Sequence, residues 1–183
     1  MHKTLEEIVA FIGGTRRALL ESARNLTPAQ LRFRPAADRW SIDQLLEHVA
    51  RTEARMAGFL TIEARLALER GLPARPGGPI DLSVFEELKV RVADRKFQAP
   101  REVAPEGGGS LVELTARLEA AREKVLKLVP LLEVHDMSEV RFPHPLLGDR
   151  FNLYEWLFFL GVHEARHRRQ VENVKQEQGF PAG

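Results

Sequence analysis

Two histidines, His163 and His167, stand four residues apart in a stretch whose apolar residues have helical spacing. On a helix this spacing places the two side chains one turn apart on one face, with Cβ atoms about 6 Å from each other. Two imidazole nitrogens can then meet at a single metal ion, each about 2.1 Å from it for zinc. The ordinary alternatives are a hydrogen-bonded pair of core histidines or a pair at a solvated helix edge. Spacing alone favours these alternatives.

A third histidine, His48, shifts the interpretation towards a metal site. Leu45 and Thr52 lie one turn away from it on either side, on the inner face of an earlier predicted helix. Three histidines at one level of a bundle form a facial set that leaves coordination positions open for water or substrate, as a catalytic metal site requires. The sequence therefore predicts metal ligands at His48, His163 and His167. Gln170, one turn beyond His167, is a candidate for orienting a ligand or a bound water.

Glu164 gives the segment from His163 to His167 the His-Glu-x-x-His pattern of zinc metalloproteases, in which the glutamate is the general base. The extended form of that pattern fails, because Gln170 stands where a glycine is required. The Glu-x-x-His of di-iron bundles also matches, but the sequence has no second copy. Glu164 falls one position off the inner seam of the helix. That offset predicts a surface carboxylate, although Glu164 remains a candidate catalytic residue.

The other histidines and the arginines are interpreted mainly as structural. We expect His2 at a frayed terminus, His135 in a loop, and His144, which lies between two prolines, to cap a turn. The basic run that includes Arg166 predicts a solvated face near a helix C-terminus, where cations are favoured. Further arginines near helix ends could hold an anionic ligand: Arg34, Arg39, Arg141 and Arg150.

Composition excludes several classes of protein. The 183 residues include no cysteine and six histidines, with 27 basic against 26 acidic side chains. Without cysteine, zinc-finger, iron–sulfur and thiolate-nucleophile sites are excluded, so a metal must be bound by histidine or carboxylate. The nearly equal numbers of basic and acidic side chains give no sign of the basic patch that binds nucleic acid. Glu6 and Glu7 argue against a secretory signal, and no apolar run approaches the about 20 residues that span a bilayer. We therefore expect a cytoplasmic protein that acts on a small molecule, away from membranes.

Helix signals recur along the chain and predict a single all-α domain over residues 1–183. Capping boxes mark helix starts at Thr27, Ser41, Ser83, Ser110 and Asn152. Apolar residues recur at three-and-four spacing in four long segments, which run from Leu5 to Leu26, from Ile42 to Glu69, from Leu111 to Pro130 and from Leu153 to about Gln178. One short extra helix is predicted over Val84 to Lys96. The link rich in proline and glycine between Gly71 and Ser110 is long enough to cross from one end of a bundle to the other.

These residues together resemble the DinB-like family, also called the DinB/YfiT superfamily. The resemblance covers nearly the whole chain and rests on Trp40-Ser41-Ile42 leading into Glu47-His48 and Glu53, on His144-Pro145-Leu146-Leu147-Gly148, and on Trp156 through His163-x-x-x-His167-x-x-Gln170. It implies a four-helix bundle with a crossover connection and a divalent metal, often nickel or zinc, held by His48, His163 and His167. It also implies a kinship with transferases and isomerases that use bacillithiol, mycothiol or glutathione, many of which are homodimers.

Three hypotheses for function follow. The first is a metal-dependent transferase, in which the ion activates a low-molecular-weight thiol by lowering its pKa. The second is a metal-dependent hydrolase that uses the same three ligands, with Glu164 or Glu47 as the base. The third is a non-catalytic helical module whose histidines are structural or bind metal incidentally. The native metal, the thiol and the acceptor are left open by the sequence.

Overall fold

The structure, a computed structural model, describes residues 1–91 and 97–182. Among these residues four long helices form the bundle: α1 (Leu5–Ser22), α3 (Ile42–Glu69), α5 (Leu111–Leu126) and α7 (Leu153–Lys175). Short helices occupy the described links: α2 (Pro28–Arg32), α4 (Val84–Arg91) and α6 (Val129–Val134). The strands form two small antiparallel pairs, β1 (His2–Lys3) with β2 (Ile80–Asp81) and β3 (Arg141–Pro143) with β4 (Arg150–Asn152). The predicted all-α fold is confirmed.

Most predicted helix starts are confirmed. Capping boxes begin α2, α3, α5 and α7 at Thr27, Ser41, Ser110 and Asn152, and a further box at Thr4 begins α1. At Ser83 the expected box does not form, because the Ser83 N–H donates to the carboxylate of Asp81 at 2.9 Å. Glu86, the expected reciprocal partner, instead pairs with the N-terminal amine of Met1 at 2.8 Å. Asp81 thus accepts the backbone N–H of Ser83 that the Glu86 side chain was expected to bind.

Helix ends differ from the prediction at several places. α1 ends at Ser22 rather than at Leu26, and Asn25 has a left-handed φ of 58°. Pro130 does not end a helix but lies in the first turn of α6, where proline is tolerated because its missing N–H would have no partner. α7 ends at Lys175 rather than at Gln178. Of the helix predicted over Val84 to Lys96, residues 92–96 lie outside the described residues.

Helix directions follow from which helix ends share a core. Ile42 and Leu45 at the start of α3 pack in one cluster with Leu114 at the start of α5, so these two neighbours run parallel. The same cluster holds Leu19 near the end of α1 and Val171 near the end of α7. α1 and α7 are therefore parallel to each other and antiparallel to the other two. Parallel neighbours need a long connection, so the link between α3 and α5 crosses the bundle from end to end, as predicted.

The apolar core consists of two clusters, one on each side of a charged layer. One cluster contains Leu60 of α3 and Leu157 of α7, and the other contains the residues just described at the opposite end of the bundle. Between the two clusters each long helix carries one buried charged side chain: Arg16 in α1, Glu53 in α3, Arg122 in α5 and Glu164 in α7. The candidate metal ligands lie beside this layer on α3 and α7.

None of the described helices is long and apolar enough to cross a membrane. The most apolar stretch of α7, residues 156–160, packs inside the core cluster that contains Leu60.

Candidate metal centre

The three predicted ligands lie together in the bundle. The ligand-type nitrogens of His48, His163 and His167 all lie within 4.8 Å of one another. The Nε2 atoms of His163 and His167 are 3.1 Å apart. Two ligands that each lie 2.0–2.1 Å from one ion, at tetrahedral or octahedral angles, are about 2.9–3.4 Å apart. The spacing of the His163 and His167 nitrogens therefore fits a shared ion, and His48 lies close enough to complete the group, to which no other described histidine belongs.

His48 is oriented by the crossover link. Residues Arg101–Val103 form a single 3-10 turn that packs against α3. The carbonyl oxygen of Val103 lies 2.9 Å from Nδ1 of His48. A carbonyl only accepts, so Nδ1 carries the proton and donates it to Val103, which leaves the lone pair on Nε2. Metal-bound histidines commonly donate their second ring N–H to such an acceptor, which fixes the tautomer and the direction of the ring.

Burial keeps the three imidazoles uncharged. Desolvation lowers the pKa of His48, lowers that of His163 well below its ordinary value, and lowers that of His167 to about 3. The aromatic rings of Trp40 and Phe159 contribute to this apolar setting, since Trp40 lies 4.9 Å from His48 and Phe159 lies 5.8 Å from His163 between ring centroids. Each neutral imidazole keeps a lone pair on one ring nitrogen at neutral pH, so a cation does not have to compete with protonation of the rings to the charged form.

Gln170 lies where the sequence placed it, one turn beyond His167. Its Oε1 atom and Nδ1 of His167 are both buried and have no hydrogen-bond partner among the described residues. The Gln170 side chain nevertheless acts on His167, since it raises the pKa of His167 against the larger effect of burial. The pair consists of a ring nitrogen and an amide oxygen, which can bond once Nε2 is used for a ligand and Nδ1 carries the proton. The orphaned atoms thus fit a metal-bound state of His167.

Glu164 is not the surface carboxylate that its position off the seam predicted. It is 1% exposed and its oxygens are bound by arginines from two other helices. Arg16 donates to it at 2.6 Å and Arg122 at 3.0 Å, and both arginines also pair with Glu53. The hydroxyl of Thr15 donates to it at 2.8 Å. The prediction was wrong because α7 packs against both α1 and α3, which buries the side of the helix next to the seam of His163 and His167.

Glu47, the other base considered for a hydrolase, also has its oxygens in use. Its Oε2 accepts the backbone N–H groups of Glu106 at 3.0 Å and Gly107 at 2.7 Å. Its Oε1 pairs with Arg51 at 2.9 Å. Gly107 has a left-handed φ of 83°, which aims consecutive N–H groups at the carboxylate. Glu47 therefore fastens the link to α3 at the position directly before His48.

His144 caps a turn, as predicted, and is not one of the grouped imidazoles. It lies in the loop that joins β3 to β4, where its Nδ1 accepts the N–H groups of Leu146 and Leu147, both at 3.2 Å. Its ring stacks on Trp156, with centroids 5.3 Å apart, and meets Phe159 edge-on at 4.7 Å. Burial lowers its pKa to about 4, so it is a neutral acceptor at neutral pH.

Fold and site together define a class of protein: a crossover four-helix bundle with three histidines gathered from two antiparallel helices. The model of the DinB superfamily matches residues 12–171, and the chain belongs to this family. The uncharacterized protein YuaE of Bacillus subtilis (strain 168) is 26% identical over 157 residues, which cover 84% of this chain and 88% of that protein. The crystal structure of TT2238, a four-helix bundle protein, matches with a TM-score of 0.62 and 26% identity over 93% of this chain and 99% of that chain.

Proposed function

We propose that His48, His163 and His167 hold a divalent cation, nickel or zinc, and that the protein is a transferase that uses a low-molecular-weight thiol as cosubstrate. The observation that carries this proposal is the convergence of three uncharged imidazoles within 4.8 Å, one of them fixed in its tautomer by the Val103 carbonyl. Such a set suits a borderline cation and leaves coordination positions for a further ligand. A bound divalent ion would supply thiol activation, by lowering the pKa of a thiol so that it is a thiolate near pH 7.

The side chains around the site have separate parts in this proposal. The Val103 carbonyl holds the His48 proton on Nδ1, and Gln170 is placed to do the same for His167. Trp40 packs against His48 and Phe159 against His163, and these apolar rings lower the local polarity, which strengthens electrostatic interactions there. Because the chain has no cysteine, the sulfur must arrive with the cosubstrate.

The engagement of both nearby glutamates favours thiol transfer over hydrolysis. The hydrolase considered above assigns the base to Glu164 or Glu47, and that carboxylate would have to be free to take a proton from water within hydrogen-bond reach. Glu164 is bound by two arginines and a hydroxyl, and Glu47 by two backbone N–H groups and an arginine. A thiol that is already deprotonated needs no such base, so the arrangement supports the transferase.

Metal content after equilibrium dialysis tests the first half of the proposal. Wild-type protein dialysed against Ni²⁺ or Zn²⁺ should retain about one ion per chain, and His163→Ala should retain less than about a tenth of that. His135→Ala, which changes a histidine outside the grouped imidazoles, is the matched control and should bind like the wild type. Equal metal content in wild type and His163→Ala would exclude the site.

Turnover tests the second half. Metal-loaded wild type should consume a panel of electrophiles only when a thiol is present, and His163→Ala should not. Turnover that is independent of thiol would favour the hydrolase. The non-catalytic module would be favoured if the protein binds metal but turns over no substrate, and if it keeps its full thermal stability after the metal is removed.

A further inference from the structure

Arg166 occupies a special position relative to the three histidines. It lies on α7 directly before His167 and one turn after His163, and its side chain is exposed. Its guanidinium carbon lies 5.3 Å from the centroid of the Phe97 ring, in the crossover link. A guanidinium stacked on an aromatic face is held in place while the N–H groups along its edge stay available. The contact with Phe97 therefore orients the cation without using its donors.

The charge of Arg166 acts on every member of the site. Arg166 follows His163 by three residues on α7, which makes the two side chains neighbours on the helix surface. Its positive charge is also among the causes that lower the pKa of His48, of His163 and of His167. Among the described residues no carboxylate forms an ion pair with it. By contrast, two loop arginines that the sequence offered as anion ligands already pair with carboxylates of the chain, Arg39 with Glu177 and Arg141 with Glu155.

The carboxylates close to the site are also committed elsewhere. Glu47 binds the link, and Glu53 and Glu164 belong to the charged layer. A divalent ion with three neutral imidazoles keeps its full double charge, and Arg166 adds another positive charge at the edge of the same site. A ligand that brings only a thiolate neutralises part of this charge, whereas one that also brings a carboxylate matches both the ion and the guanidinium.

We propose that Arg166 binds a carboxylate of the thiol cosubstrate and so selects thiols that carry a carboxylate over neutral thiols of the same shape. This inference rests on the proposed function, because it assumes that the thiol sulfur enters the three-histidine site. Arg166 is then a specificity-determining residue that touches the cosubstrate away from the sulfur. The sequence predicted only a solvated cationic face at Arg166. In this proposal that face binds the cosubstrate carboxylate.

Binding of two matched thiols to cobalt-loaded protein tests the proposal. The probes are 3-mercaptopropionate and its neutral amide, 3-mercaptopropionamide, titrated against the Co²⁺ protein while the sulfur-to-cobalt absorption band is followed. The wild type should bind the carboxylate thiol at least about tenfold more tightly than the amide, since hydrogen bonds to charged groups have that strength. In Arg166→Met the preference should fall to about one, with the Kd of the amide unchanged within about twofold. Arg166→Lys keeps the positive charge but loses the paired N–H groups of the guanidinium that can bind both oxygens of a carboxylate. It should retain part of the preference.

Arg169→Met is the matched control, because it removes an exposed arginine from the same helix, one turn further on. It should keep the wild-type preference. A preference that survives in Arg166→Met, or a wild type that binds both thiols equally, would overturn this inference and leave the metal site and its thiol chemistry standing. A wild type that binds no Co²⁺, or binds it without any thiol band, would overturn the proposed function and this inference together.

Discussion

Four histidines of the bundle have a pKa lowered by burial, but they use their nitrogens differently. His48 donates from Nδ1 to a backbone carbonyl, whereas His144 accepts at Nδ1 from two backbone N–H groups. His163 and His167 face each other through Nε2. The direction of the hydrogen bond thus separates a ring that presents its Nε2 lone pair to a ligand from a ring that uses its lone pair to hold a turn.

Acid should therefore destabilise the protein through His144. Its folded pKa is about 4 and its ordinary value is 6.5, so the folded state binds fewer protons than the unfolded state between these values. The stabilisation is fully present above pH 6.5 and is lost as the pH falls towards 4, with a slope of at most about 1.4 kcal/mol per pH unit. The free energy of unfolding of metal-free protein, measured by urea titration across this window, should show the slope.

His144→Asn separates this effect from that of the other histidines. An asparagine oxygen can accept the same turn N–H groups and does not titrate, so the variant should fold and show a shallower pH slope than the wild type. His2→Asn, at an exposed position, should leave the slope as it is. Identical slopes in the wild type and in His144→Asn would show that the turn does not depend on a neutral ring.

At the residue scale, the grouping of the three histidines could be predicted from the sequence, but the groups that orient them could not. His48, His163 and His167 are rare residue types at helical positions on inner faces, so type and period together reveal them. The acceptor for His48 is a backbone oxygen, and any residue at position 103 would supply it. Glu164 has the residue type of a catalytic base, and only the packing of α7 against α1 shows that its carboxylate is buried and paired.

At the element scale, the charged layer holds the four long helices in register. Every one of its side chains bonds to two or more others, and Arg16 and Arg122 also donate to the carbonyl oxygens of Leu118 and Ile12 respectively. Buried charges are tolerated only when they are paired and hydrogen-bonded, so each helix is fixed relative to its neighbours at this level.

Glu164→Gln should therefore be strongly destabilising. The substitution keeps the shape of the side chain but leaves Arg16 and Arg122 with an incompletely compensated charge in the core, which costs about 3 kcal/mol. Urea unfolding of metal-free protein measures the loss. Glu69→Gln, which breaks the exposed i,i+4 pair with Arg65, is the matched control and should leave the urea midpoint nearly unchanged. A similar midpoint for both variants would mean that the layer contributes little to stability.

Helix starts were easier to predict than helix ends. The boxes at Thr27, Ser110 and Asn152 are local, because each needs only a side chain and a partner three residues away. Pro130 misled the prediction, since proline both ends helices and begins them, and the outcome depends on the chain before it. The crossover could be predicted from the length of the link, but its packing against α3 depends on Asp43, Glu47 and His48 meeting backbone groups 55 to 65 residues away.

At the scale of the whole molecule, the three histidines join two antiparallel helices that are far apart in sequence. A cation that binds them only in the folded state should stabilise the fold by mass action, by about 4 kcal/mol when its free concentration is a thousand times Kd. Thermal unfolding of the wild type should shift upwards on addition of Ni²⁺ or Zn²⁺ and return on addition of a chelator.

His48→Ala provides the comparison for this measurement. It removes the α3 contribution while leaving both α7 histidines, so the shift on adding metal should be largely lost. The same upward shift in His48→Ala would mean that the metal stabilises the protein from elsewhere on its surface.

The hydrogen bond from His48 to Val103 also bears on how such a protein can diversify. Because the acceptor is main chain, side chains along the crossover link can be exchanged over evolutionary time while the imidazole keeps its direction. Glu47 and Asp43 likewise accept hydrogen bonds from main-chain N–H groups of the link, which any residue except proline can supply. Phe97, the neighbour of Arg166, belongs to this same link. In the proposed site, substrate preference and imidazole orientation could therefore change independently, so that new specificities could arise while the three histidines keep their arrangement.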